Sequence, residues 1–250
     1  MVRKELPEPP ISSGMKGMDT MLEYLRPGDN TVFVVDDMSD FTPFTNSIVK
    51  AAEEQSIPII YFRFADHLEP ICQGKYVNTV ELNPEDGFEG FVAAIMELVE
   101  EHGIPTIYVF DCLSELAVDW CSDQMLGNFF RLICPALNDK GATSYFAMLR
   151  NRHMERTVAY VNDAAQIILQ VYCCNEQLFV QPTKAKHRYS STIFLLHRCR
   201  EDDFAPVTNS SLLTEILSDL PHSWLEFAMH RPGIWRRTVT HAQEVMTAVK

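Results

Sequence analysis

Glycine and lysine are missing from the one place where a phosphate-binding loop would need them. A β-branched run, Thr31-Val32-Phe33-Val34-Val35, leads into Asp36-Asp37-Met38-Ser39-Asp40-Phe41-Thr42-Pro43-Phe44, and an amphipathic helical pattern follows to about Gln55. In a strand–loop–helix unit, a P-loop uses glycines so that backbone N–H groups converge on the phosphates. It adds a Lys to reach them and a Ser or Thr for magnesium. This loop has neither Gly nor Lys, and Pro43 stands where the Lys would be. Its three carboxylates, Asp36, Asp37 and Asp40, would repel phosphate.

Other absences narrow the function further. Seven cysteines are scattered without a CxxC pair, which predicts reduced thiols in the core rather than a disulfide frame or zinc site. Eight histidines include no HExxH spacing. Ser114 follows a predicted strand but lies in no GxSxG elbow, and no Ser–His–Asp arrangement is visible. Lys and Arg total 21 against 34 Asp and Glu, a net charge of −13, so a nucleic-acid surface is not expected. No apolar run approaches ~20 residues, so no membrane span is expected. The N-terminal residues lack an apolar signal core, so a cytoplasmic protein is expected. No catalytic residue, metal or cofactor is expected either.

What is present is a core. Of 250 residues, 46% are hydrophobic, which suits an α/β domain with a C-terminal extension. Apolar runs predict strands at 31–35, 58–64, 77–82, 106–111, 143–149, 165–172, 177–184 and 191–197. Helical patterns fall at 43–55, 86–102, 121–138 and 153–162. Strand–helix alternation predicts a mostly parallel sheet flanked by helices. After Ala164 the strands follow one another, and Asn175-Glu176 reads as the turn of an antiparallel hairpin at the C-terminal edge. The acidic stretch 201–210 reads as a loop. Short helices are expected near 209–219, 223–230 and 238–250.

Two stretches carry a resemblance. Ile11-Ser12-Ser13-Gly14-Met15-Lys16-Gly17-Met18-Asp19 resembles the opening segment of KaiC/RadA-type RecA-like ATPases. Ile107-Tyr108-Val109-Phe110-Asp111-Cys112-Leu113-Ser114-Glu115-Leu116 is similar to their Walker B strand. The resemblance implies a RecA/KaiC-like domain over residues 1–200 and a helical extension, or a linker to a downstream domain, over 201–250. The Walker A positions it implies are degenerate: Asp37, Asp40, Thr42, Pro43 and Phe44. A catalytic Glu is implied just after the second strand, where the chain has Ala65 with Asp66 beside it. A narrower resemblance, through Leu25-Arg26-Pro27-Gly28, Phe110-Asp111-Cys112-Leu113-Ser114 and the 127–135 helix, is to the N-terminal P-loop-less domain of bacterial proteins. Those proteins carry a downstream PEP/pyruvate-binding module of the pyruvate phosphate dikinase type.

Ligands in open α/β sheets collect at the carboxyl ends of the strands. Asp36, Asp37, Asp66, Asp111, Arg150, Arg152 and His153 are expected to converge there, with Arg150 or Arg152 pairing with Asp111 in place of magnesium. Lys184, Lys186 and Arg188 resemble the K-x-R element that reaches across subunit interfaces in related hexamers. Three readings remain open. The first is a non-catalytic, pseudo-ATPase module acting through a protein partner or self-association, in regulation of a PEP/pyruvate phosphotransfer enzyme. The second is an anion or nucleotide sensor using Asp111, Arg150, Arg152, His153, Lys184, Lys186 and Arg188. The third is a residual ATPase completed by a neighbouring subunit. A basic aromatic patch at Arg231, Trp235, Arg236 and Arg237 is a further candidate contact.

Overall fold

The computed structural model describes residues 10–65, 72–102, 104–200 and 203–219. Asp66, the helices expected at 223–230 and 238–250, and the Arg231/Trp235/Arg236/Arg237 patch lie outside the described residues. The described strands form one nine-stranded sheet in the order β3-β2-β4-β5-β1-β6-β7-β8-β9. The parallel part comprises β1 (Asn30–Val35), β2 (Ile59–Arg63), β3 (Val77–Glu81), β4 (Ile107–Cys112), β5 (Thr143–Leu149) and β6 (Ile167–Cys174). Parallel strands need crossover connections, and helices lie between β1 and β2, β3 and β4, β4 and β5, and β5 and β6.

Alternation along the strands explains why both faces are covered. In β1, Phe33 and Val35 enter one core, while Val32 and Val34 enter the other. In β4 and β5, Val109, Tyr145 and Ala147 join the first core, and Tyr108, Phe110, Phe146 and Met148 join the second. A strand buried on both faces reads as a continuous apolar run, which is what made these strands legible. On the first face lie α1 (Lys16–Leu22) and α2 (Thr42–Gln55), with Met18, Leu22, Phe44 and Ile48 buried. On the second lie α3 (Phe88–His102), α4 (Leu113–Asp119), α5 (Asp123–Lys140) and α6 (Glu155–Ala164).

The opening segment is knitted by Asp19. Its carboxylate accepts the Ser13 backbone N–H at 2.7 Å and the hydroxyls of Ser12 at 2.5 Å and Ser13 at 2.6 Å. Gly14 has φ +85°, and a Cβ there would sit 2.0 Å from the Ser47 carbonyl oxygen. A Cβ on Gly17 would meet the Phe204 carbonyl oxygen at 1.8 Å. The serines, glycines and Asp of this motif therefore have structural work of their own.

At the other edge, β6 and β7 (Gln177–Ala185) form the expected hairpin, with Asn175 and Glu176 at φ 50° and 60°. Two expectations are corrected. The strand expected at 191–197 is β8 at His197–Arg200, and the expected loop 201–210 contains β9 (Asp203–Pro206). Both are short strands with charged side chains near the sheet edge, a composition that protects an edge and hides the strand from a hydrophobicity reading. Their hairpin crosses residue 200, where the sequence suggests a domain boundary. Beyond it, α7 (Ser210–Asp219) places Leu213 and Ile216 against Tyr172 and Phe179.

Candidate functional site

The carboxyl edge of the parallel strands brings together the β1–α2 loop, the end of β4 and the β5–α6 loop. The β1–α2 loop is a closed single 3-10 turn, Met38–Asp40, directly before α2. Asp37 caps it, accepting the Ser39 N–H at 2.8 Å and hydroxyl at 2.6 Å, while Asp40 accepts the Asp37 N–H at 3.4 Å. Asp40 N–H donates to Asp37 O, Phe41 N–H to Met38 O, and Phe44 and Thr45 N–H to Phe41 O. The N–H groups of Asp37, Ser39, Asp40, Phe41, Phe44 and Thr45 are thus donated within the segment. Phe41 and Phe44 are buried against Phe33, with ring centroids 5.2 and 4.7 Å away. Hydrogen bonds from the Ser39 hydroxyl and N–H hold the Asp37 carboxyl below its ordinary pKa. Burial, aided by the charges of Asp36 and Asp37, pushes Asp40 up.

Asp111 does not pair with either arginine. Its buried carboxylate accepts backbone N–H groups from Phe64 at 3.3 Å, Ala65 at 3.1 Å and Cys112 at 2.8 Å. Arg150 instead pairs with Asp36 at 2.7 Å. It also donates to Gln170 Oε1, to Val34 O at 3.1 Å and to Val171 O at 2.5 Å, and lies 4.2 Å from the Tyr172 ring centroid. β5 lies between β1 and β4, and Arg150 turns to the β1–β6 side, where Asp36, Val34 O, Val171 O and Gln170 receive its donors, while backbone N–H groups occupy the Asp111 carboxylate. Arg152 is exposed and makes no side-chain hydrogen bond or ion pair among the described residues.

A second correction concerns Ser114. Its Oγ lies 2.7 Å from His153 Nε2, and His153 Nδ1 lies 2.5 Å from Asp123 Oδ1. Asp123 Oδ2 accepts the Met154 N–H at 2.8 Å, and Ser114 Oγ accepts the Leu149 N–H at 2.9 Å. The His153 side chain is 1% exposed. Burial opposes the charge on Asp123, but hydrogen bonds from Thr157, His153 and Met154 hold its carboxyl below the usual range. Sequence reasoning named His153 but missed Asp123, which reads as an ordinary first-turn acid after the Ser122 cap. The adjacency of β4 and β5 was the signal that could have joined Ser114 to His153. Beside His153 lies a cleft of about 140 Å³, lined by the apolar Met148, Leu149, Val158, Val161 and Ile168 and by Arg150, Asn151, Asn162 and Gln170.

The K-x-R segment sits away from this edge, beyond the opposite end of β7. Lys184 Nζ donates to the carbonyls of Asn162 and Asp163 at the end of α6. Arg188 is buried and pairs with Asp29; it also donates to Leu22 O at 2.8 Å, Tyr24 O at 3.2 Å and Lys186 O at 3.0 Å. Burial pushes the Asp29 carboxyl up against the opposing pull of Arg188. Lys186 and His187 are exposed, as are Tyr24 at 40% and Tyr189 at 79%.

Among the described residues, no group of three or more His, Cys, Asp or Glu is placed to hold a metal ion, and no helix is long and apolar enough to cross a membrane. The mostly parallel sheet, its helical layers and its antiparallel C-terminal strands define a RecA-like α/β protein. A solved structure with this fold is that of a KaiC-like protein from the hyperthermophilic archaeon Pyrococcus horikoshii OT3. It has a TM-score of 0.60 and 14% sequence identity, over 79% of this chain and 98% of that one. At that identity the likeness is one of fold. No protein-family model and no curated protein matches the chain by sequence.

Proposed function

We propose that this chain is a RecA-like module that does not turn over nucleotide and acts through protein contact. The observation that carries the reading is the β1–α2 loop: the N–H groups of residues 37, 39, 40, 41, 44 and 45 are all donated within the segment. Phosphoryl transfer depends on loop amides, a Lys and magnesium acting together. A loop with spent amides and three carboxylates offers neither the cradle nor the charge.

The geometry also supports contact at the K-x-R segment. Arg188 fastens this segment to α1 and β1 from inside, so the backbone is held while Lys186, His187, Tyr24 and Tyr189 face outward. Glu23 Oε1 accepts the Tyr189 N–H at 3.0 Å, which keeps both tyrosines on one rim. Rigid exposed tyrosines beside a cation are favoured interface anchors. At a net charge of −13, a second copy of this chain offers an acidic surface to such a rim, and a downstream PEP/pyruvate-binding module is the other partner the reading allows. Light scattering of the full chain tests the contact. Tyr189→Ser with Lys186→Glu is expected to lower the apparent mass or abolish capture of the module. An unchanged mass and unchanged capture contradict it.

The anion-sensor reading is the weaker one. Arg150, Lys184 and Arg188 spend their donors on the chain's own carbonyls and carboxylates, which leaves Arg152 and Lys186, on different parts of the surface, as the exposed cations of that set.

A further inference from the structure

We propose that Ser114 is an activated nucleophile, with His153 as its base and Asp123 as the group that orients the base, in a centre that cleaves small uncharged carboxylic esters. This is independent of the nucleotide reading: it uses the β4–α4 junction and the β5–α6 loop, not the β1–α2 loop.

The geometry meets the requirements for such a centre in order. Nucleophile and base are 2.7 Å apart, and base and orienting acid are 2.5 Å apart. Both distances lie within direct hydrogen-bond reach. Asp123 at Nδ1 fixes the tautomer that leaves Nε2 bare to accept the serine proton. Asp123 is itself fixed, because Met154 N–H occupies its second oxygen. The Leu149 N–H occupies one lone pair of Ser114 Oγ, and the O–H points to His153, so one lone pair remains for attack.

The adjoining cleft sets the class of substrate. Leu149 and His153, which both touch Ser114 Oγ, also line it; its apolar walls are Val34, Met148, Val158, Val161 and Ile168, and Arg150, with its charge paired to Asp36, lines it beside Asn162 and Gln170. Those walls suit an uncharged acyl chain. Ser114 is 5% exposed and lies behind Leu149 and His153 rather than on the cleft wall itself, so a substrate taken from the cleft must be small enough to pass between them. Asn151 also lines the cleft, and in this proposal its side-chain amide is the donor to the carbonyl oxygen.

In the first step, Ser114 Oγ attacks the ester carbonyl carbon and its proton passes to His153 Nε2. The carbon–alkoxy bond breaks, the leaving alcohol takes that proton, and an acyl-serine remains. Water then adds to the acyl carbon, His153 accepts a water proton and returns it to Ser114, and the free acid leaves. Nothing is oxidised or reduced, and water is the sole co-reactant.

The full chain is treated with a small fluorophosphonate, and the adduct is mapped by peptide mass spectrometry. Hydrolysis of p-nitrophenyl acetate is followed in parallel. The expected result is one stoichiometric adduct on Ser114, with labelling slowed at least ~100-fold in His153→Gln and in Asp123→Asn, and ester turnover lost in Ser114→Ala. A folded wild-type chain that gains no adduct on Ser114, or that labels as fast in His153→Gln, overturns the proposal. Wild-type labelling is decisive even if Ser114→Ala does not fold.

Discussion

Arginine 150 should behave as a structural clamp, and its removal separates that role from ligand binding. Its side chain is 9% exposed and satisfies Val34 O, Val171 O and Gln170 Oε1 while pairing with Asp36. Truncation to Ala leaves those acceptors without their donor. An unmet buried acceptor costs ~1–3 kcal/mol, and water entering the adjoining cleft would satisfy part of the set. The stacking on Tyr172 adds ~1 kcal/mol. Together Arg150→Ala should cost about 3–5 kcal/mol. At ~2–4 °C per kcal/mol for a domain of this size, Tm falls by ~6–20 °C. Arg150→Lys keeps the charge but loses the planar fork, so it should recover less than half of the loss. Arg152→Ala, on an exposed side chain, should stay within ~0.5 kcal/mol. Chemical denaturation of the three variants is the assay. An Arg150→Ala chain as stable as wild type would refute the clamp and return Arg150 to the list of ligand-binding cations.

The buried pair at the K-x-R segment gives a second test: Arg188→Met should cost ~3–5 kcal/mol by stranding Asp29, and Arg188→Met with Asp29→Leu should recover most of it in denaturant melts. His197 has its pKa lowered to about 4 by burial, from an ordinary 6.5. Its unfolded form therefore binds a proton that the folded form refuses between those values, and stability falls as pH drops from 6.5 to 4, by up to ~3 kcal/mol. His197→Phe should flatten that part of the stability–pH curve, and parallel curves for the two chains would contradict the assignment. Gly17→Ala should destabilise by ~3 kcal/mol or more, because the new Cβ meets the Phe204 carbonyl at 1.8 Å; a near-neutral melt would show that β9 yields easily.

The parallel core was legible because strands buried on both faces write themselves as apolar runs. Strands at 31–35, 106–111 and 143–149 needed no tertiary knowledge to find. The charged pair β8 and β9 was not legible, since Arg198, Arg200 and Asp203 are spaced like a solvated loop. At the site, Asp111, Arg150 and His153 were nameable one by one, as polar residues near strand ends. Their partners were not, because β5 has both β1 and β4 as neighbours, and the choice between Asp36 and Asp111 depends on which other acceptors the folded β1–β6 side offers. The same holds for Asp123, 30 residues before His153, whose role exists only once α5 begins beside the β5–α6 loop. The K-x-R pattern was visible, but which of its cations turns inward depended on the buried carboxylate of Asp29, which no local pattern announced.

Equilibrium titration of the full chain with magnesium-ATP tests the central claim most directly. The closed β1–α2 turn predicts no saturable binding at concentrations up to ~1 mM and no phosphate release above a protein-free blank. Saturable binding weakened by Asp111→Asn, accompanied by magnesium-dependent turnover, would contradict it and mean that the loop opens into a working phosphate site.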